Sequence, residues 1–227
     1  MSELHESLYR GLGYRFSQDS LLAEALTHRS AGSPNNERLE FLGDALLNWV
    51  IADALYRLHP QASEGDLTRL RASLVREPSL ADLAQSIRLG EHLKLGPGEI
   101  RSGGSRRQSI LADSLEALFA AVYLDGGHEA AQGVILRLYD KLLGELPDAE
   151  SLKDAKTRLQ EYLQGRGLPL PDYEVFEVIG QAHAQLFRVR CTVPGNAHEA
   201  EGEGSSRRQA EQMAAMRLLD QLPQGSA

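Results

Sequence analysis

Residues 36–45 constrain the fold of this chain more than any other segment. The apolar residues of this segment recur at helical spacing and continue to Ile51, which predicts an amphipathic helix. The predicted apolar face consists of Leu39, Leu42, Leu46 and Trp49. Glu40 and Asp44 are four residues apart, so they stack one turn above the other on roughly the opposite side. Two carboxylates at this spacing either ligate a hard cation or face water, and the spacing alone favours water.

A second pair of carboxylates lies in a second predicted helix, over residues 106–119. Asp113 and Glu116 are three residues apart and lie away from the apolar stripe of this helix. The stripe consists of Leu111, Leu115, Leu118 and Val122. If the two helices pack together, four carboxylates meet, and only cations relieve their mutual repulsion. Oxygen ligands select Mg²⁺ or Mn²⁺ over zinc, so the pattern indicates metal-assisted hydrolysis of a phosphodiester.

Both segments resemble conserved blocks of the ribonuclease III family. Residues 36–44 resemble the defining motif of its endonuclease domain, and residues 103–113 resemble its second block. The resemblance implies a homodimeric, Mg²⁺-dependent endonuclease that cleaves double-stranded RNA, with Mn²⁺ able to substitute. The implied products carry 5′-phosphate and 3′-hydroxyl ends with short 3′ overhangs. The implied role is the processing of ribosomal RNA precursors and other structured transcripts.

The resemblance also assigns roles to the four carboxylates. Glu40, Asp113 and Glu116 are the implied metal ligands. Asp44 completes the implied catalytic set, either as a further ligand or by orienting a water molecule. Each assignment is carried over from the matching motif position, and none follows from the spacing of the residues.

Four other residues have two interpretations each. Glu64 lies in the first turn of a predicted helix, where a carboxylate offsets the helix dipole, whereas the resemblance places it near the active site. Arg106 and Arg107 follow a glycine pair at a helix start, which either holds a phosphate or is an ordinary glycine-rich connection. Phe41 either packs at the edge of the core or, by resemblance, lies in the dimer interface.

The chain changes character after residue 145. No strand pattern occurs in residues 1–145, which predicts an all-α endonuclease domain. Residues 146–152 are polar and contain proline, which is typical of a linker. In residues 153–224, three alternating segments (173–181, 185–193 and 198–203) lie between two helical ones. The predicted fold is therefore an all-α domain followed by a small α+β domain of order α-β-β-β-α.

The second domain resembles a double-stranded RNA-binding domain. Residues 204–211 resemble the loop and helix start with which that domain binds phosphates, although arginines stand where lysines are usual. The resemblance assigns RNA contact to Gln160, Glu161, His183, Ser206, Arg207 and Arg208. Such a domain recognises the shape of A-form RNA over about 16 base pairs. The glutamates of the third strand, Glu199, Glu201 and Glu203, are predicted to lie on the far side from the RNA.

Composition narrows the class of protein. The net charge of −8 lacks the strongly basic balance typical of nucleic-acid binders, so RNA binding has to come from local clusters of arginine. A single cysteine, Cys191, excludes an internal disulfide and a multi-cysteine zinc site. No apolar run approaches the roughly 18 residues of a membrane span, and the first 30 residues lack a signal-peptide core. We therefore expect a cytoplasmic protein with no membrane partner.

Two other functions compete with the nuclease. In a non-catalytic double-stranded RNA-binding protein, the helical domain would serve only in dimerisation, and at least one of the four carboxylates would be absent. A metal-dependent phosphohydrolase acting on small nucleotides would leave the RNA-binding motif at residues 204–211 unexplained. Activity on nucleotides rather than duplex RNA would identify the second alternative.

Overall fold

The computed structural model describes residues 5–146, 153–181, 185–195 and 198–223. The chain divides into two compact units, Met1–Leu152 and Lys153–Ala227. Among its described residues, the first unit contains helices and a single isolated bridge between Thr27 and Lys94. The prediction of an all-α first domain is therefore confirmed.

The first unit is built from seven α-helices among its described residues. They are α1 (Glu6–Leu12), α2 (Asp19–Ala25), α3 (Glu37–Leu58), α4 (Glu64–Val75), α5 (Glu77–Ser86), α6 (Pro97–Arg101) and α7 (Gln108–Gly144). Ser63 caps α4: its hydroxyl accepts from the amide of Asp66, and the Asp66 carboxylate accepts from the amide of Ser63. The backbone of α7 departs from helical geometry at Gly127.

The core of the first unit forms where α3 and α7 pack side by side. The predicted stripe of α7 is confirmed, because Leu111, Leu115, Leu118 and Val122 are all buried. The predicted apolar face of α3 is partly wrong. Trp49 is 50% exposed and packs edge-on against the ring of His128, whereas the buried residues of α3 are Leu39, Gly43, Leu47, Val50, Ile51 and Leu55. Leu42 and Leu46 are only partly buried against the core, whereas Gly43 is fully in contact with the backbone of α7.

The second unit consists of α8 (Ala155–Gln164), β1 (Asp172–Ile179), β2 (Leu186–Thr192), β3 (Glu199–Gly204) and α9 (Arg207–Gln221). The strands form an antiparallel sheet in the order β1-β2-β3, and β1 has an irregular register between Val175 and Glu177. Both helices cover one face of the sheet, where Cys191 is buried with Leu159 and Leu163. The predicted order α-β-β-β-α is confirmed.

The glutamates of β3 lie on the sheet face opposite the helices. Alternate residues of β3 point toward α9, and a side chain at Gly202 would overlap the backbone of that helix. Glu201 and Glu203 therefore face solvent, where they form ion pairs of 2.8 Å with Arg190 and Arg188 of β2. The arginines of β2 thus neutralise two of the glutamates of β3.

Within the described ranges, no helix combines the length and the apolar character that a membrane span needs.

Candidate active site and nucleic-acid interface

Three of the predicted carboxylates converge between α3 and α7. Glu40, Asp113 and Glu116 each offer one oxygen, and the three oxygens lie within 4.8 Å of one another. All three side chains are half-buried. The two helices thus bring together residues that are more than 70 positions apart in the sequence.

The convergence depends on a close approach of two helix backbones. Gly43 is buried against α7, and a Cβ atom at this position would overlap the backbone carbonyl of Glu116. Glu40 lies nearly one turn before Gly43, and Glu116 supplies the contacted carbonyl. A glycine here lets α3 and α7 approach closely enough for their carboxylates to share one site.

The carboxylates disfavour each other's ionised form. Burial raises the pKa of Glu116 to about 8, and the charges of Asp44, Asp113 and Glu40 add to the rise. Burial also raises the pKa of Glu40, together with Asp113 and Glu37. A cation would relieve this repulsion.

The donor atoms in this cluster are all carboxylate oxygens. Hard cations such as Mg²⁺ and Mn²⁺ prefer oxygen ligands, whereas zinc prefers nitrogen and sulfur. The residues present therefore fit a hard divalent cation.

Asp44 lies close to this cluster but outside the group of three. Its charge contributes to the raised pKa of Glu116, so the two carboxylates are near neighbours. One of its oxygens accepts a 2.9 Å hydrogen bond from the amide of Asn48, one turn further along α3. Asp44 is thus oriented by a hydrogen bond, whereas the other three carboxylates face one another.

A cavity of about 250 Å³ opens beside the cluster. Its acidic lining includes Glu37, Glu40 and Asp113, and its basic lining includes Arg29 and Arg107. His28, Asn36, Glu99, Ser109 and Ile110 complete the lining. The cavity combines acidic groups suited to cations with basic groups suited to phosphate.

Two buried polar residues fix the start of α3 beside Asp113. The amide of Asn36 donates a 3.3 Å hydrogen bond to the hydroxyl of Ser114, and both side chains are almost fully buried. The backbone amide of Asn36 donates to the carbonyl of Thr27, which joins the preceding segment to the same point. The position of Glu40 relative to Asp113 therefore rests on a specific contact as well as on apolar packing.

The structure separates the two arginines that precede α7. Arg107 lines the cavity with Glu40 and forms a 2.9 Å ion pair with Glu99. Arg106 lines a different surface depression, together with Arg88. Arg107, but not Arg106, lies on the cavity beside the carboxylates.

The other two predicted site residues of the first unit lie on its surface. Glu64 begins α4, and its carboxylate accepts a 2.8 Å hydrogen bond from Thr68 of the same helix. Phe41 is 81% exposed, so the interpretation that it packs at the edge of the core is wrong. Among the described residues, Phe41 is the most exposed of the large apolar side chains.

The candidate RNA-binding residues of the second unit lie on its two helices. Gln160 and Glu161 are exposed on α8, and Glu161 contacts Lys153. Ser206 caps α9 by accepting from the amide of Gln209. His183 lies outside the described residues.

The two arginines at the start of α9 differ in their partners. Arg207 forms a 2.8 Å ion pair with Glu211, which Lys156 also contacts at 2.6 Å. Arg208 is exposed and has no ion-pair partner among the described residues. It lines a groove of about 680 Å³ with Ser206 and Met213. Arg208 is therefore the more available cation for a phosphate.

Sequence reasoning missed several residues of the site. It left His28 without chemistry, and it assigned no role to Asn36, Arg29 or Ser114. Glu77, whose charge helps burial to raise the pKa of Asp113, was also missed. The asparagine at the start of the first motif was a usable signal, because a polar residue at a helix start often makes a specific hydrogen bond. The proximity of Glu77 has no such signal, since it arises from the packing of α5.

Two family models match the chain. One, described as ribonuclease-III-like, matches residues 18–142, and the other, described as a double-stranded RNA binding motif, matches residues 155–222. They correspond to the helical unit with the carboxylate cluster and to the unit that contains the three-stranded sheet.

Curated relatives match nearly the whole chain. A ribonuclease 3 of Alkalilimnicola ehrlichii is 56% identical over 96% of this chain and 95% of its own length. A ribonuclease 3 of Proteus mirabilis is 53% identical over 96% of this chain and 97% of its own length. The similarity thus extends across both units.

Solved structures match the first unit. The nuclease domain of a ribonuclease III from Campylobacter jejuni is 42% identical, with a TM-score of 0.61, and the match covers 65% of this chain and all of that domain. The fold and the relatives show a double-stranded RNA endonuclease, and its carboxylate cluster has the ligands to hold a metal ion. The chain therefore belongs to the ribonuclease III family.

Proposed function

We propose that the enzyme uses Mg²⁺, which Mn²⁺ can replace, held by Glu40, Asp113 and Glu116. The observation that carries this proposal is the convergence of three carboxylate oxygens within 4.8 Å in a half-buried site. A divalent cation bound there would activate water and stabilise the charge that develops on the phosphate. Asp44, oriented by Asn48, orients the attacking water from the rim of the cluster.

The products we propose follow from hydrolysis that breaks the bond between phosphorus and the 3′-oxygen. The 5′ end then keeps the phosphate, and the 3′ end is a hydroxyl. Two active sites, each cutting one strand at offset positions, would leave short 3′ overhangs. Precursors of ribosomal RNA and other structured transcripts contain such duplexes and are the proposed substrates.

The second unit binds the duplex in this proposal. Ser206, Arg207 and Arg208 lie at the N-terminal end of α9, where the helix dipole and free amides favour phosphate. Gln160 and Glu161 are exposed on α8 and available to 2′-hydroxyls of a minor groove. His183 would contact the next minor-groove segment. We propose the domain limits 1–145 and 153–224, with residues 146–152 as the linker.

The proposed assembly is a homodimer formed through the helical unit. Phe41 is 81% exposed, more than any other large apolar side chain among the described residues, which makes it the candidate for contact with a second copy. In the Campylobacter jejuni nuclease domain, a flexible region is described as involved in dimer formation. The compartment we propose is the cytoplasm, because the one cysteine is buried and forms no disulfide.

Cleavage of a long RNA duplex by wild type and by Glu116→Gln tests the proposal. With Mg²⁺, wild type should cut and Glu116→Gln should bind the duplex without cutting it, because a neutral amide is a poor ligand for a hard cation. Glu129→Gln is the matched control, since Glu129 is exposed on the same helix. Tight binding by wild type without cleavage would instead indicate the non-catalytic RNA-binding protein.

A further inference from the structure

Only one of the two ring nitrogens of His28, Nδ1, has hydrogen-bond partners among the described residues. His28 precedes the short 3₁₀ turn Arg29–Ala31, where its Nδ1 accepts from the backbone amide of Ser30 at 3.2 Å. The hydroxyl of Ser30 lies 2.7 Å from the same nitrogen and accepts from the amide of Gly96. Because a backbone amide only donates, Nδ1 carries no proton here. The ring proton is therefore on Nε2.

His28 is one of the residues that line the cavity beside the carboxylates, together with Glu40 and Asp113. At about 250 Å³, this cavity is smaller than the roughly 300–1,000 Å³ typical of sites that enclose a whole small molecule. It suits one phosphate of a strand that passes across its mouth. A phosphate in this cavity would be within reach of the residues that line it, which include His28, Glu40 and Asp113.

The other basic groups of this cavity already have partners. Arg29 forms an ion pair with Glu37 at 3.5 Å, and Arg107 forms one with Glu99 at 2.9 Å. Among the described residues, Nε2 of His28 has no hydrogen-bond partner. Of the basic residues that line the cavity, His28 is therefore the one that can bind a new acceptor without first breaking an ion pair.

We propose that His28 is a phosphate-binding residue of the active site, whose Nε2–H donates to a non-bridging oxygen of the RNA phosphate in the cavity. Ser30 is the positioning residue that holds the ring in this tautomer, and through Gly96 it ties the ring to the segment that precedes α6. This inference rests on the proposed nuclease function.

Two substitutions at position 28 separate this role from a purely structural one. His28→Phe keeps a planar ring of similar size but has no donor, whereas His28→Gln keeps an N–H donor at about the reach of Nε2. A structural role through Ser30 would be lost in both variants, because neither offers an acceptor at the position of Nδ1 with the same geometry. His59→Phe, at the end of α3, is the matched control.

The experiment is single-turnover cleavage of a duplex RNA at saturating Mg²⁺, with thermal unfolding of each variant measured alongside. We expect His28→Phe to cut about 10- to 100-fold more slowly, the effect of one hydrogen bond to a charged group. His28→Gln should recover most of that loss, Ser30→Ala should give an intermediate rate, and His59→Phe should match wild type. The unfolding temperatures should stay close to that of wild type.

Two results would overturn the inference. One is cleavage by His28→Phe at the wild-type rate, and the other is an equal loss in the Phe and Gln variants. Either result leaves the proposed nuclease function intact, because wild type still cuts. If wild type itself did not cut duplex RNA, the proposed function would fail, and this inference would fail with it.

Discussion

Gly43 is the residue that most directly joins the fold to the active site. A side chain at this position would overlap the backbone carbonyl of Glu116, so one of the two helix backbones has to shift to admit it. We expect Gly43→Ala to push α3 and α7 apart, to cost about 1–3 kcal/mol of unfolding free energy, and to lower the cleavage rate more than tenfold. Urea unfolding and duplex cleavage measure the two effects.

A second glycine provides the control for this substitution. Gly133 lies in α7 with no atom near the position of a Cβ. Gly133→Ala should stabilise the helix by roughly 0.5–1 kcal/mol, because alanine has less conformational freedom to lose on folding. Equal effects of the two substitutions would contradict the argument from close approach.

Glu116 links the stability of the metal-free protein to pH. Its pKa is raised from 4.5 to about 8, mainly by burial, so the folded state binds this proton more tightly than the unfolded state does. The resulting stabilisation is complete below pH 4.5 and is lost as the pH rises through about 8. In EDTA, the unfolding temperature of wild type should therefore fall from pH 6 to pH 9 more than that of Glu116→Gln. Parallel curves for the two proteins would refute this linkage.

At the scale of elements, hydrophobic periodicity predicted where the strands lie better than it predicted which face of a helix is buried. The period-2 segments became strands within two residues of their predicted limits at each end, because one face of the sheet is buried and the other is not. On α3, periodicity selected Leu46 and Trp49, whereas Leu47 and Val50 are buried. The misplacement arises because Gly43 carries no hydrophobic signal, although it faces α7.

The carboxylate cluster likewise shows what residue spacing alone does not predict. Spacing predicts that Glu40 and Asp44 share one face of α3, and that Asp113 and Glu116 share one face of α7. Spacing does not predict which three oxygens meet, because that depends on the crossing of the two helices. The buried bond between Asn36 and Ser114 helps to set this crossing, and it joins residues 78 positions apart.

The contact between Asn36 and Ser114 should behave as a coupled pair that joins α3 to α7. Asn36→Ala removes the donor and leaves a buried hydroxyl without its partner, so it should cost about 1–3 kcal/mol of unfolding free energy. Adding Ser114→Ala should cost less than the sum of the two single changes, because the stranded hydroxyl is then absent. Urea unfolding of the two single variants and the double variant measures this coupling. Additive effects would show that the two side chains act independently.

At the scale of the whole molecule, a net charge of −8 is compatible with RNA binding because the charges are unevenly distributed over the surface. Arg188 and Arg190 neutralise glutamates of β3 on the sheet face opposite the helices. The carboxylates of the active site are the proposed ligands of a cation. The exposed arginine at the start of α9, Arg208, remains available to phosphate. Bulk charge is therefore a poor guide to the partner of this chain, since distribution rather than total decides which surface meets RNA.

Phe41 makes the proposed homodimer testable at this scale. Its side chain is 81% exposed one residue after Glu40, so a partner subunit that covers it would also exclude water beside the site. Burying a phenylalanine contributes roughly 1.5–3 kcal/mol, and a two-fold dimer buries two copies, so Phe41→Ser should weaken dimerisation by at least about 100-fold. Sedimentation equilibrium across a range of protein concentrations measures this shift. Leu170→Ser, at an exposed apolar residue of the second unit, should leave the dissociation constant unchanged. A Phe41→Ser protein that dimerises as tightly as wild type would place the interface elsewhere on the molecule.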